Sequence, residues 1–258
     1  MNRDERHNYS VAKNINVGDQ IYVPSTLVEG KENHPYALLE SRVIAKRNRT
    51  VDIDGIDANA VSVPTSKVHK EVGFLVISIG DFDTELTLIN PLSKSILHFF
   101  RLMVSDDQLV YCQIRTLDEL KEVWIKYSPS HANVIFIGHG RRDAIKFFPS
   151  WVNSLKFLET LNQANTSVTS TITRKNFVFL CCNTGYKDFS KSFSESELCS
   201  VVISPFHSVH GAIASQFCQT LFTHHLIDGR SLKVAFKLAK KSVPSSVSFR
   251  FWQNGSIN

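Results

Sequence analysis

The rhythm of apolar and polar positions changes near residue 70. Before that point short apolar runs alternate with turn residues. Ile21-Tyr22-Val23 follows Gly18-Asp19, and Leu38 to Ala45 alternates loosely. Thr50 to Asp54 leads into an Asp54-Gly55 turn signal, and Ala60 to Pro64 forms one more run. Short β-favouring runs bounded by Gly, Asp and Pro predict strands, and Asp-Gly is a hairpin signal. No helical period intervenes, so residues 1–70 are expected to form a small all-β, SH3-like barrel or roll.

After residue 70 strands alternate with helices. Gly73 to Gly80 is a continuous apolar stretch, the pattern of a strand buried on both faces. Pro91 suits a first helical turn, and Leu92, Ile96, Phe99, Phe100 and Met103 then fall on one stripe. Leu109 to Ile114 predicts a strand. Thr116 ahead of Leu117-Asp118-Glu119 reads as an N-cap with an acidic first turn, and Leu120, Val123, Trp124 and Tyr127 share a face. Further buried strands are expected at Asn133 to Ile137, Phe177 to Leu180 and Val201 to Ser204. Helices are expected over 151–161, 212–227 and 231–240, with a closing strand at 246–252. Residues 71–258 therefore predict an α/β domain with a parallel sheet and helices on both faces. Such sheets carry their ligand chemistry at the carboxyl ends of the strands.

Composition narrows the class. Apolar residues are 43% of 258 and include 18 Phe, while charged residues are 21%, which excludes disordered and fibrous chains. No apolar run approaches the roughly 20 residues a membrane helix needs, and MNRDERHNYS lacks a signal-peptide core, so a cytosolic protein is expected. Five cysteines, an odd number, argue against a disulfide framework. The net charge of +5 is weaker than a dedicated nucleic-acid binder would carry.

Two buried strands end in a reactive side chain beside glycine: Phe136-Ile137-Gly138-His139-Gly140 and Phe179-Leu180-Cys181-Cys182-Asn183-Thr184-Gly185. A cysteine nucleophile acts as its thiolate and needs an imidazole close by. If these strands are neighbours, both side chains emerge on one sheet edge. Gly140, lacking a Cβ, would let its N–H approach a substrate carbonyl, and with the Cys182 N–H it could form an oxyanion hole. Either motif alone reads as core packing or an ordinary loop, because free Cys is among the most buried residue types. Their joint occurrence points to chemistry.

Val134 to Gly140 and Phe177 to Gly185 resemble the two catalytic blocks of the caspase-like, clan CD cysteine peptidases, most of all the CHAT branch related to separase. Cys182-Asn183-Thr184-Gly185 matches the branch's second block and selects Cys182 over Cys181. The similarity continues through Val201 to Ser204, Val209, Phe217, Leu221-Phe222, Gly229, Ser231 and Ala235 to Ala239. It spans about residues 71–258 and leaves 1–70 unexplained. The resemblance implies a caspase-like fold and a cysteine endopeptidase acting on a protein substrate, with Cys182 as nucleophile, His139 as general acid/base and no cofactor. It also implies a regulated effector of a bacterial defence or cell-death system. Residues 1–70 would then bind a regulatory protein or substrate. His207 and His210 depart from the branch's pattern, which usually has an aromatic there.

Residues 186–200, polar and Ser-rich, are expected to line or cover the cleft, with Asp188, Ser204 and His207 as cleft residues. Asp188, Glu195 and Glu197 could favour a basic P1 residue, but ordinary solvated loop charges are the better explanation, and P1 stays open. His207 and His210 with Cys218, His224 and His225 fit no common zinc spacing. Lys46-Arg47-Asn48-Arg49 near Tyr22 and Tyr36 could touch nucleic acid, but a basic turn between strands is usually just solvated and no base-stacking aromatic run accompanies it, so a nucleic-acid partner is not expected. Cys112, Cys199 and Cys218 read as packing residues. A pseudo-peptidase that binds a protein through the same cleft is the alternative in a different functional class.

Overall fold

A computed structural model describes residues 14–28, 30–31, 34–54, 60–167 and 174–258. Strands β1 (Gln20–Pro24), β2 (Leu38–Lys46), β3 (Thr50–Asp54) and β4 (Ala60–Pro64) form an antiparallel sheet in that order. It is the small all-β unit expected from the sequence, with its strands in meander order and no pairing between β4 and β1 among the described residues. The Asp54-Gly55 turn falls outside the described residues. Ile21, Val23, Val43, Val51, Ile53 and Val63 fill a small core on this sheet.

The larger sheet is built from β5 (Phe74–Ile79), β6 (Leu109–Ile114), β7 (Asn133–Gly138), β10 (Lys175–Cys181), β11 (Cys199–Pro205), β12 (Phe249–Gln253) and β13 (Ser256–Ile257). Its order is β13-β12-β11-β10-β7-β5-β6. The five strands from β6 to β11 run parallel, and β12 and β13 close one side antiparallel. A short hairpin of β8 (Ala144–Lys146) and β9 (Trp151–Asn153) leaves the β7 end.

Helices cover both faces. On one lie α1 (Asn90–Met103), α5 (Gly211–Phe222) and α6 (Leu232–Ser242), with Ile96, Phe100, Phe217, Leu221 and Phe236 in a core shared with Val76, Ile135, Ile137, Val178 and Leu180. On the other lie α2 (Leu117–Tyr127), α3 (Ser154–Asn165) and α4 (Lys187–Glu195), with Trp124, Phe157, Phe189 and Phe193 against Val134, Phe136, Phe177, Phe179 and Cys181. Successive strand residues feed opposite cores, as the two-residue strand period requires. Thr116 caps α2 in a reciprocal box with Glu119, the N-cap expected from the sequence.

Two expectations are corrected. The helix placed over 151–161 begins at Ser154, capped by Asn153, because Trp151–Asn153 pairs as β9. Past Tyr186, residues 187–195 do not form the polar cover expected over the cleft. Lys187–Glu195 is helix α4, whose Phe189 and Phe193 are fully buried in the core beside α3.

The β unit packs against the turn after α5. Tyr22 and His69 pair through their backbones, Lys67 Nζ donates to the Ile227 carbonyl, and His69 Nε2 lies 3.0 Å from the Leu226 carbonyl. No helix among the described residues is long and apolar enough to cross a membrane.

Candidate active site

β7 and β10 are neighbours in parallel register. Ile137 faces Leu180 and Gly138 faces Cys181, so His139 and Cys182 each stand one residue past the last pair. Strand alternation then separates the two cysteines. Cys181 has the parity of Phe177 and Phe179 and sinks into the α2–α4 core, fully buried, where desolvation pushes its thiol far above the ordinary range. Cys182 has the parity of Val178 and Leu180 and emerges half-buried on the α1–α5 face. His139, of Ile137 parity, emerges on that same face, and both side chains line one small apolar cleft of about 40 Å³. Leu88, Leu92, Val209 and Ala214 form its other walls.

The turn after Cys182 is held from several directions. Asn183 adopts φ +63°, a left-handed conformation that Asn tolerates better than most residues. The Thr184 hydroxyl donates to the Cys181 carbonyl at 2.7 Å, and Ser190 donates to the Thr184 carbonyl at 2.6 Å. Gly185 N–H donates to the Pro205 carbonyl, and Trp252 Nε1 donates to the Gly185 carbonyl at 3.1 Å. A Cβ on Gly185 would stand 2.8 Å from the Ser204 carbonyl, so only glycine fits. The Cys-Asn-Thr-Gly motif is thus a fixed support beneath the thiol.

Gly140 fills a matching role on the other strand end. A Cβ there would lie 2.5 Å from the Cys182 carbonyl and 2.8 Å from Thr184 Cγ2. Gly140 faces Ile145 in an isolated bridge whose hydrogen bonds run from Arg141 N–H to Ala144 O and from Lys146 N–H to His139 O. The Gly140 N–H takes no part in that pair.

The loop after β5 supplies a group that sequence reasoning missed. Thr84 Oγ1 lies 2.5 Å from His139 Nε2. Below it, buried Asp81 pairs with Lys146, whose hydrogen bond holds the carboxyl below its usual range. Asp81 also accepts the Asp83 N–H, and its carbonyl accepts the Glu85 N–H at 2.8 Å, which fixes the loop that presents Thr84. The sulfur of Cys182 is itself engaged. Val209 N–H approaches it at 3.5 Å and the Val209 carbonyl at 3.8 Å, and no hydrogen bond joins Cys182 to His139 among the described residues.

The other expected cleft residues disperse. Ser204 is fully buried within β11 and bonds Ser190 at 2.9 Å, so it supports α4 and lines no cleft. Asp188 is exposed in the first turn of α4, and Glu195 lies at the far end of that helix against Gly255. His207 is exposed beside Phe206, just beyond β11. His210 caps α5 by accepting the Ala212 N–H, and His224 pairs with Asp228 at 2.6 Å. In the β unit Tyr22 is buried, its phenol pushed to about 12 by desolvation, and Arg47 is paired with Asp52.

No family model matches the chain, and no curated protein is significantly similar to it.

Proposed function

We propose that the protein is a cysteine endopeptidase of caspase-like type in which Cys182 is the nucleophile and His139 the general acid/base. The observation that carries this reading is the in-register pairing of β7 with β10, which sets both residues past one sheet edge, on one face and in one cleft. In the reaction the Cys182 thiol gives its proton to His139, and the thiolate attacks the scissile carbonyl carbon. The oxyanion is held by the Gly140 and Cys182 N–H groups. His139 then protonates the departing amine and later takes a proton from the water that hydrolyses the thioester. Thr84 is a positioning residue that orients the imidazole. Residues 1–70 would bind a regulatory protein, and their contact with the end of α5 gives such binding a path to the cleft wall. The role as a regulated effector of a bacterial defence or cell-death system follows from the resemblance alone.

A second reading, a latent module that binds a protein through this cleft, is favoured by the Val209 contact on the Cys182 sulfur. Cleavage of a peptide library, with fragments identified by mass spectrometry, separates the two. The peptidase reading expects cuts that vanish in Cys182→Ala and His139→Ala. Cuts that persist in both variants, or their absence with wild-type protein and its native lysate, would overturn it.

A further inference from the structure

Four side chains from separate segments stack at the sheet edge where β7 and β10 end. The Arg142 guanidinium lies over the Tyr186 ring at 4.5 Å, and Tyr186 stacks on Phe206 at 3.9 Å and 23°. Arg250 lies over Phe206 at 5.0 Å. Arg142 comes from the loop after β7 and Tyr186 is four residues past Cys182. Phe206 follows β11, and Arg250 lies in β12 opposite Ser204. The stack therefore runs along the catalytic edge from the His139 strand to the far side of the sheet.

Neither arginine has a carboxylate partner among the described residues. Arg142 is exposed, and Arg250 donates only from Nη1, to the Val247 and Phe249 carbonyls. Nearby acids are committed or apart: Asp143 pairs with Arg141, and Asp188 forms no ion pair with either arginine. Lys240 adds a like charge beside Arg250, and exposed His207 stands edge-on to Phe206. Stacking fixes the plane of a guanidinium yet leaves its in-plane N–H groups free, and that fork matches a carboxylate.

We propose that this Arg142–Tyr186–Phe206–Arg250 ladder is a substrate-binding wall that takes an acidic peptide segment, with one carboxylate at each end. The three successive contacts put the two guanidiniums no more than about 13 Å apart, a reach of up to about four residues of extended chain at about 3.3 Å each. The segment thus carries two acidic residues up to about four positions apart. The word substrate rests on the peptidase reading; the binding does not.

The test is fluorescence anisotropy with Cys182→Ala protein, which binds without turnover. One fluorescein-labelled peptide carries two Asp four positions apart in an Ala-Ser background, and a second carries Asn at both places. The wall predicts at least tenfold tighter binding of the Asp peptide at low salt and a steep loss of that preference with added salt. Arg142→Gln or Arg250→Gln should each reduce the preference several-fold, and the double variant should abolish it. Arg101→Gln, an exposed arginine of α1, should leave it intact. Equal binding of the two peptides, an unchanged preference in the double variant, or a single-stranded oligonucleotide that displaces the Asp peptide while an unlabelled copy does not, would overturn it. Thermal unfolding of each variant verifies that it is folded.

Discussion

Gly140 and Cys182 meet backbone to backbone: the space a Cβ on Gly140 would fill is already taken by the Cys182 carbonyl, 2.5 Å away. The two strand ends are therefore packed as one piece, and the glycine is a steric requirement of that contact. Gly140→Ala should force the His139 and Cys182 loops apart. We expect at least a hundredfold loss in kcat/KM, with a stability cost of about 1–3 kcal/mol, the usual range for overpacking. Steady-state kinetics and denaturant unfolding measure the two effects.

The two adjacent cysteines should behave oppositely. Cys181→Ala removes a fully buried sulfur from the α2–α4 core and should cost about 1 kcal/mol, with labelling of Cys182 retained. Cys182→Ala should leave unfolding nearly unchanged and remove all labelling. Urea titration and intact-mass analysis read both.

Thr84 holds His139 by one hydrogen bond. Thr84→Val should lower kcat roughly tenfold or more, with KM little changed, and should displace the pH profile of kcat. Thr84→Ser should restore both. A purely structural role would lower thermal stability and leave the pH profile where it was.

His69 joins the β unit to the turn after α5. Desolvation, followed by the charge of His225, holds its pKa at about 3. The unfolded chain binds this proton below about 6.5 and the folded protein only near 3, so His69 weakens folding as pH falls between those values. The unfolding midpoint should drop from pH 7 to pH 4, and His69→Gln should flatten that dependence. Thermal melts across pH show the difference in slope.

Much of this was legible in the chain. The continuous apolar runs at β5, β7 and β10 needed burial on both faces, and His139 between two glycines and Cys182 ahead of Gly185 marked the edge where the proposed dyad lies. The choice between Cys181 and Cys182 was also legible in principle, since the two-residue period that sends Phe177 and Phe179 to one core sends Cys181 after them. Helix α4 was hidden because five serines between residues 186 and 200 dilute an apolar stripe carried by Phe189 and Phe193 alone. Ser204 was misplaced because serine shows no face preference of its own, and its hydroxyl finds a partner in Ser190. Thr84 left no signal. Its contact with His139 crosses 55 residues and depends on β5 lying beside β7, which no local pattern states.

The central claim is tested most directly by mass spectrometry of the reduced protein after exposure to peptide acyloxymethyl ketones at neutral pH. The account predicts one adduct, mapped to Cys182, that is lost in His139→Ala. Labelling of Cys112 instead, or an adduct on Cys182 that forms equally well without His139, would contradict it.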